Sequence, residues 1–154
     1  PTVSLRYFTV YGPRQRPDMA FHRFCKAAIG HEPLHVYGDG HQTRDFTYIS
    51  DVVEANIRAA RGDGASGAVM NIAGGSRVSV RQVVQLLQEI SGSPLAITFD
   101  EQQHGDVEHT FADTSLAEQL IHYKPLVALP EGLAREFAYT ASLYAYSGAR
   151  SLDY

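Results

Sequence analysis

The feature that most constrains this chain is a strand, a glycine pair and a capped helix in immediate succession. Residues 69–72, Val-Met-Asn-Ile, are a short run that reads as a buried strand, and Gly74 and Gly75 stop it. Ser79 follows and can cap a helix, because its side-chain oxygen can accept from a free first-turn amide. Val80, Val83, Val84, Leu87 and Ile90 then recur at helical spacing, giving the helix one apolar stripe to bury. A strand feeding an amphipathic helix is a unit of α/β architecture.

The same alternation runs along the chain. Residues 3–8 read as a strand, and Gly12, Pro13 and Pro17 mark a long irregular loop after it. A helix is predicted from about Met19 to Ile29, with Phe21, Phe24, Cys25, Ala28 and Ile29 on one face and Gly30 at its end. Residues 34–37 read as a strand, Gly38-Asp39-Gly40 as a turn, and residues 44–48 as extended. Ser50 is placed to cap a helix that carries Asp51 in its first turn and runs to about Arg61. Residues 62–67 form a flexible connection, 97–99 a strand and 102–109 a polar loop. Asp113 or Thr114 starts a short helix, and Pro130 stands as the first residue of a last helix through about Tyr144. There is no internal repeat. The class is α/β, in the sense of a mixed α+β chain.

At 154 residues the chain is one domain's worth, long enough to bury a core. Its 44% hydrophobic and 19% charged residues are ordinary globular usage, which excludes disordered and collagenous classes. One cysteine, Cys25, excludes an internal disulfide and fits a reducing compartment. No apolar run approaches a membrane span and no signal region opens the chain, so it reads as soluble and cytoplasmic. A net charge of −4 argues against a nucleic-acid partner. Within residues 1–26, however, the cations Arg6, Arg14, Arg16, Arg23 and Lys26 face one acid, Asp18. That suits a small anionic ligand; composition alone fits a solvated face at least as well.

Two motif matches are refused on physical grounds. Residues 62–67 match G-x-G-x-x-G, but that fingerprint works between a strand and a following helix whose amino terminus faces the pyrophosphate. Here a helix precedes and a strand follows. His31-Glu32-Pro33-Leu34-His35 matches H-E-x-x-H, which needs a helix to put both histidines on one face, and Pro33 breaks such a helix. No metal site is expected.

Three other segments carry more. The first is Leu5-Arg6-Tyr7-Phe8-Thr9-Val10-Tyr11-Gly12-Pro13-Arg14-Gln15-Arg16-Pro17-Asp18-Met19-Ala20. It places small and hydroxylated groups beyond a strand end, where α/β sheets bind ligands, and follows them with guanidinium forks suited to phosphate or carboxylate. The second is Val36-Tyr37-Gly38-Asp39-Gly40-His41-Gln42-Thr43-Arg44-Asp45-Phe46-Thr47-Tyr48-Ile49-Ser50-Asp51-Val52. An aromatic, Tyr37, and a nearby arginine, Arg44, are what a base-plus-phosphate ligand needs, although Arg44-Asp45 also fits a surface ion pair and Tyr37 a core residue. The third is Gly105-Asp106-Val107-Glu108-His109-Thr110-Phe111-Ala112-Asp113-Thr114-Ser115, where Asp106 can accept from ribose hydroxyls.

All three segments, in this order, resemble the extended short-chain dehydrogenase/reductase family, in its NAD-dependent nucleotide-sugar epimerase and dehydratase branch. The similarity runs from Val3 to about Leu133, and Asn71-Ile72-Ala73-Gly74-Gly75 shares it. The resemblance implies a carboxyl-terminal part of a Rossmann-type fold: late sheet strands plus the small substrate lobe, within residues 1–150. Family members hold NAD in an amino-terminal Rossmann half and a UDP- or dTDP-sugar in the smaller lobe. Hydride passes from the sugar C4 to NAD⁺ and returns to the other face of a 4-keto sugar, with a Tyr-x-x-x-Lys pair supplying the base. Carried over by motif, Tyr11, Gly12 and Pro13 would border the cofactor and Thr9 the sugar. Tyr37 would lie against uracil, and Arg44 and Asp106 would hold diphosphate and ribose. Thr9 with Arg16-Pro17-Asp18-Met19-Ala20 is similar to UDP-glucuronate 4-epimerases, where Thr9 and Arg16 would meet the sugar carboxylate.

Some features depart from the family pattern. Gln103 stands where some relatives carry a phosphate-binding arginine, and His104 replaces the usual proline. No lysine lies four residues after any tyrosine, so no catalytic residue is assigned. The expectation is the UDP-sugar-binding half of a UDP-glucuronate or UDP-glucose 4-epimerase, inactive alone, whose full-length parent is a homodimer. The alternatives are a non-catalytic nucleotide-binding module, or part of a 4,6-dehydratase or a UDP-glucuronate decarboxylase. With a core-type strand at residues 3–8, self-association or marginal stability is expected.

Overall fold

The computed structural model describes residues 1–62, 64–102, 105 and 107–147. The chain forms β1 (Ser4–Tyr7), β2 (Val10–Tyr11), α1 (Ala20–Gly30), β3 (Leu34–Tyr37), β4 (Thr43–Asp45), β5 (Thr47–Tyr48) and α2 (Ile49–Arg61). Then come β6 (Val69–Ile72), β7 (Arg77–Ser79), α3 (Val80–Ser91), β8 (Ile97–Asp100), α4 (Ser115–Ile121) and α5 (Leu129–Ser147). The strands pair two by two. β1 runs parallel to β6, β2 to β5 and β3 to β8, while β4 and β7 are antiparallel. The mixed α/β class read from the sequence is the class observed.

The strand β6, the glycine pair and the helix α3 form where the sequence places them, with the short strand β7 between the glycines and the helix. Ser79 accepts from the Gln82 amide, and the Gln82 side chain accepts from the Ser79 amide at 2.8 Å, a complete capping box. Val83, Val84 and Leu87 are buried. Each contributes roughly 1.5–3 kcal/mol by leaving water. They join α1, α5, β3 and an aromatic group, Tyr11, Phe21, Phe46 and Tyr48, in one core. A second core collects Met70 and Ile72 of β6 with Val52, Ala55 and Ala59 of α2 and Ala117 and Ile121 of α4.

Several boundaries differ from expectation, each for a local reason. Ser50 lies inside α2; Tyr48 takes the cap position without a side-chain bond, because β5 runs straight into the helix. Gly30 is the last residue of α1, and His31 takes the left-handed position at φ 54°, its amide satisfying the carbonyls of Ala27 and Ala28. Residues 44–48 form two short strands that separate at Phe46, because β4 pairs with β7 and β5 with β2. β7 has no sequence signal of its own and forms against β4. Pro130 is the second residue of α5, not the first.

The two refused motifs behave as their surroundings dictate. The loop after α2 leads into β6, a strand and not a helix. Asp63 within it lies outside the described residues. His31 caps α1 while His35 sits in β3, so the two histidines share no helix. No helix among the described residues is long and apolar enough to cross a membrane.

Candidate functional site

The first segment turns just past β2. Gly12 adopts φ 130°, and a β-carbon there would come within 2.5 Å of the Ile49 side chain, so the close approach of this turn to α2 requires glycine. Arg14 takes φ 72°, a strained choice for a residue with a side chain. The Gln15 amide closes the turn onto the Gly12 carbonyl at 3.0 Å. Gly12, Pro13, Arg14, Arg16, Met19 and Ile49 are among the residues lining a hollow of about 330 Å³.

Arg16 is largely exposed there, 2.9 Å from Asp18 and 3.7 Å from the Met19 sulfur. An exposed pair of this kind is worth at most about 1 kcal/mol, so an incoming anion can compete with Asp18 for the guanidinium. Thr9 lies half-buried between β1 and β2, its carbonyl accepting from the Thr47 amide at 3.0 Å. Tyr11 lines the same hollow, but its side chain is 2% exposed and packs edge-on against Phe21 and Tyr48. Burial first, then the neighbouring Tyr48 and Asp51, pushes its phenol pKa well up. The ring is a core anchor, and Gly12 and Pro13 form the rim.

In the second segment, Tyr37 ends β3 and Arg44 lies in β4, and neither lines that hollow, which the segment reaches only at Ile49. Tyr37 is half-buried, with the Arg23 guanidinium 5.5 Å above its ring. Arg44 donates to the carbonyls of Thr43 at 2.9 Å and Glu108 at 3.3 Å, which ties it to the third segment. Thr43 bridges to His109 in the same place, Oγ1 to Nδ1 at 2.9 Å. Asp106, Gln103 and His104 lie outside the described residues.

Asp45 is not a surface partner of Arg44. Its carboxylate is fully buried near the backbone amides of Ala112, Gly74, Ser76 and Gly75, and neither oxygen makes a well-formed hydrogen bond among the described residues. Burial raises its pKa and those amides offset only part of the rise. Adjacent residues in a strand point to opposite faces, so Arg44 and Asp45 separate as soon as β4 forms.

The basic amino-terminal stretch divides among three places. Arg14 and Arg16 line the hollow beyond β2, and Arg6 lies exposed on β1. Arg23 and Lys26 line another hollow, of about 380 Å³, with His22, His35 and Tyr144. Two residues that the sequence reading names without a role of their own prove consequential. Arg23 covers Tyr37 from α1, and Gln15 makes two side-chain hydrogen bonds across the loop. Neither carries a spacing signal, because each acts on a partner from another element.

A family model described as NAD dependent epimerase/dehydratase family matches residues 1–73. A Bacillus subtilis (strain 168) protein named uncharacterized UDP-glucose epimerase YtcB is 49% identical, over 94% of this chain and 46% of its own length. A UDP-glucuronate 4-epimerase from Thermodesulfobacterium geofontis (strain OPF15) is 37% identical, over 85% of this chain and 40% of its own. Among solved structures, the UDP-glucuronic acid 4-epimerase from Bacillus cereus, in complex with UDP-glucuronic acid and NAD, superposes with a TM-score of 0.90. It is 45% identical and aligns over 92% of this chain and 46% of its own. The chain therefore spans just under half the length of the relatives it matches.

Proposed function

Because this chain belongs to the NAD dependent epimerase/dehydratase family, we propose that it is the sugar-nucleotide-binding half of a UDP-sugar 4-epimerase with a preference for UDP-glucuronate. The observation that carries the reading is the placing of Arg16. Its exposed guanidinium lines a hollow beyond the carboxyl end of β2, beside Gly12 and Pro13, where α/β folds present ligands. A guanidinium there pairs with a sugar carboxylate through two parallel hydrogen bonds, which a neutral hexose does not offer. Thr9, at the carboxyl end of β1, would add a hydroxyl from the same side. Tyr37 and Arg44 supply a face for uracil and a charge for the diphosphate, with Asp106 on the ribose.

The relatives are NAD enzymes, and the fit of this chain to NAD is partial. Gly12 and Pro13 offer a rim, while the Tyr11 phenol is turned into the core. A pyrophosphate needs a strand running into a helix amino terminus at a glycine turn, and residues 62–67 lie in the opposite order. Bound NAD would supply the hydride chemistry. The part taken by this chain is to bind and orient the sugar nucleotide, and no Tyr-x-x-x-Lys base is available for more.

Calorimetric titration with UDP, UDP-glucose and UDP-glucuronate tests the reading. UDP is expected to bind, and Arg44→Ala to weaken it about ten-fold or more, the loss of one charge-assisted hydrogen bond. UDP-glucuronate is expected to bind tighter than UDP-glucose. A folded chain that ignores UDP would refute the proposal.

A further inference from the structure

We infer that Gln15 is a specificity-positioning residue: it holds the loop that carries Arg16, and through that loop it sets the preference for a sugar nucleotide bearing a carboxylate. The inference rests on the reading of Arg16 given above and goes beyond it.

The argument begins at the start of α1. The first amides of any helix lack partners within it. Here Met19 occupies the cap position with no side-chain bond, and the first turn carries no acid. Gln15, seven residues upstream of His22, fills the gap: its Oε1 accepts from the His22 amide at 3.0 Å. The same side chain donates from Nε2 to the Val10 carbonyl in β2 at 2.9 Å. One half-buried amide thus ties the end of a strand to the first turn of a helix, across the loop between them.

The chemistry of that bridge is selective. The Val10 carbonyl can only accept and the His22 amide can only donate, so the bridging group must offer both functions at once and the amide orientation is fixed. Glutamate keeps the acceptor and loses the donor. Methionine keeps the shape and loses both.

Arg16 is the next residue. The Gln15 amide closes onto Gly12, and the Met19 amide closes onto the Arg16 carbonyl at 3.1 Å, so the backbone of Arg16 lies between two turns pinned by the bridge. Its side chain is held by Asp18 and the Met19 sulfur among the described residues. Without the bridge the loop samples other positions, and the guanidinium no longer waits where a carboxylate arrives. UDP, held at Tyr37 of β3 and Arg44 of β4, is unaffected.

The test is calorimetric binding of UDP, UDP-glucose and UDP-glucuronate to the wild-type chain, Gln15→Met, Gln15→Glu, Arg16→Ala and the Gln15→Met/Arg16→Ala double variant, each confirmed folded by its melting transition. Gln15→Met is expected to leave UDP affinity within about two-fold and to cut the UDP-glucuronate advantage about ten-fold. Gln15→Glu, should Gln15→Met fail to fold, is expected to cut it in the same direction. In the Arg16→Ala background the Gln15 substitution is expected to add nothing, because both act through one group. Retention of the advantage in both Gln15 variants, while Arg16→Ala abolishes it, overturns this inference and leaves the reading of Arg16 standing. Full additivity in the double variant overturns it too. A wild-type chain with no UDP-glucuronate advantage, or no binding at all, overturns both.

Discussion

The Tyr11 phenol ends against the α-carbon of Gly132: a β-carbon built there would lie 2.2 Å from the hydroxyl oxygen and 2.8 Å from the ring carbon that bears it. Gly132 lies in the first turn of α5, where alanine is ordinarily favoured over glycine by about 1 kcal/mol. Here the sign should reverse. Gly132→Ala forces the helix off the Tyr11 ring, and an overlap of this size in a packed core costs roughly 1–3 kcal/mol. Denaturant unfolding of the variant is expected to show that loss. A gain of stability would mean that α5 does not press on Tyr11.

Ser79→Ala is expected to destabilise the chain by about 1 kcal/mol, because it removes the acceptor for the Gln82 amide and half of a reciprocal box. Gln82→Ala should cost a similar amount. The two losses should not add, since either one opens the box, and urea midpoints of the two variants and the double variant check this.

How much of this was legible depends on where each partner sits. The α3 stripe and its cap are encoded within twelve residues, and β1, β3 and β6 lie within short runs that are legible locally. The strand β7 spans three residues, Arg77, Val78 and Ser79, and exists because β4 lies beside it more than thirty residues away. The same holds at the site. Arg16, Gly12 and Pro13 come together because they are neighbours in sequence. The Arg23–Tyr37 contact and the Gln15 bridge come from packing between elements, which no spacing announces. Tyr11 shows the converse: its place in the motif marks it for the site, while the aromatic group around it draws the ring inward.

Glu136 should make stability depend on pH. Its side chain is fully buried on α5, and neither carboxylate oxygen has a hydrogen-bond partner among the described residues. Burial raises its pKa from 4.5 to about 7. The folded chain therefore holds a proton that the unfolded chain releases between those values. Stability is greatest below about pH 4.5 as far as this group is concerned, falls as pH rises through the window, and levels off above about 7. The span corresponds to about 3 kcal/mol at most. Glu136→Gln keeps the shape without the charge, so its melting temperature is expected to exceed the wild-type value at pH 8 and to converge on it at pH 5. Parallel melting curves across that range would show that Glu136 is hydrated or paired.

The outer face of α2 predicts self-association. Val53 and Ile57 are 50% and 39% exposed, and with Asn56 they occupy one helical face. The Tyr7 hydroxyl donates to Asn56 at 2.8 Å, which brings the 47% exposed Tyr7 beside them. Tyr7 ends β1, whose only strand partner among the described residues is β6, so the other edge of β1 offers free backbone groups next to an apolar patch. An unpaired strand edge beside exposed apolar side chains is a template for association. Sedimentation velocity is expected to show oligomers that grow with concentration. Val53→Lys with Ile57→Lys should shift the chain toward monomer at little cost in stability, because both side chains already face water. A wild-type chain that stays monodisperse and monomeric at high concentration would show that this face is tolerated by solvent, and the prediction would be wrong.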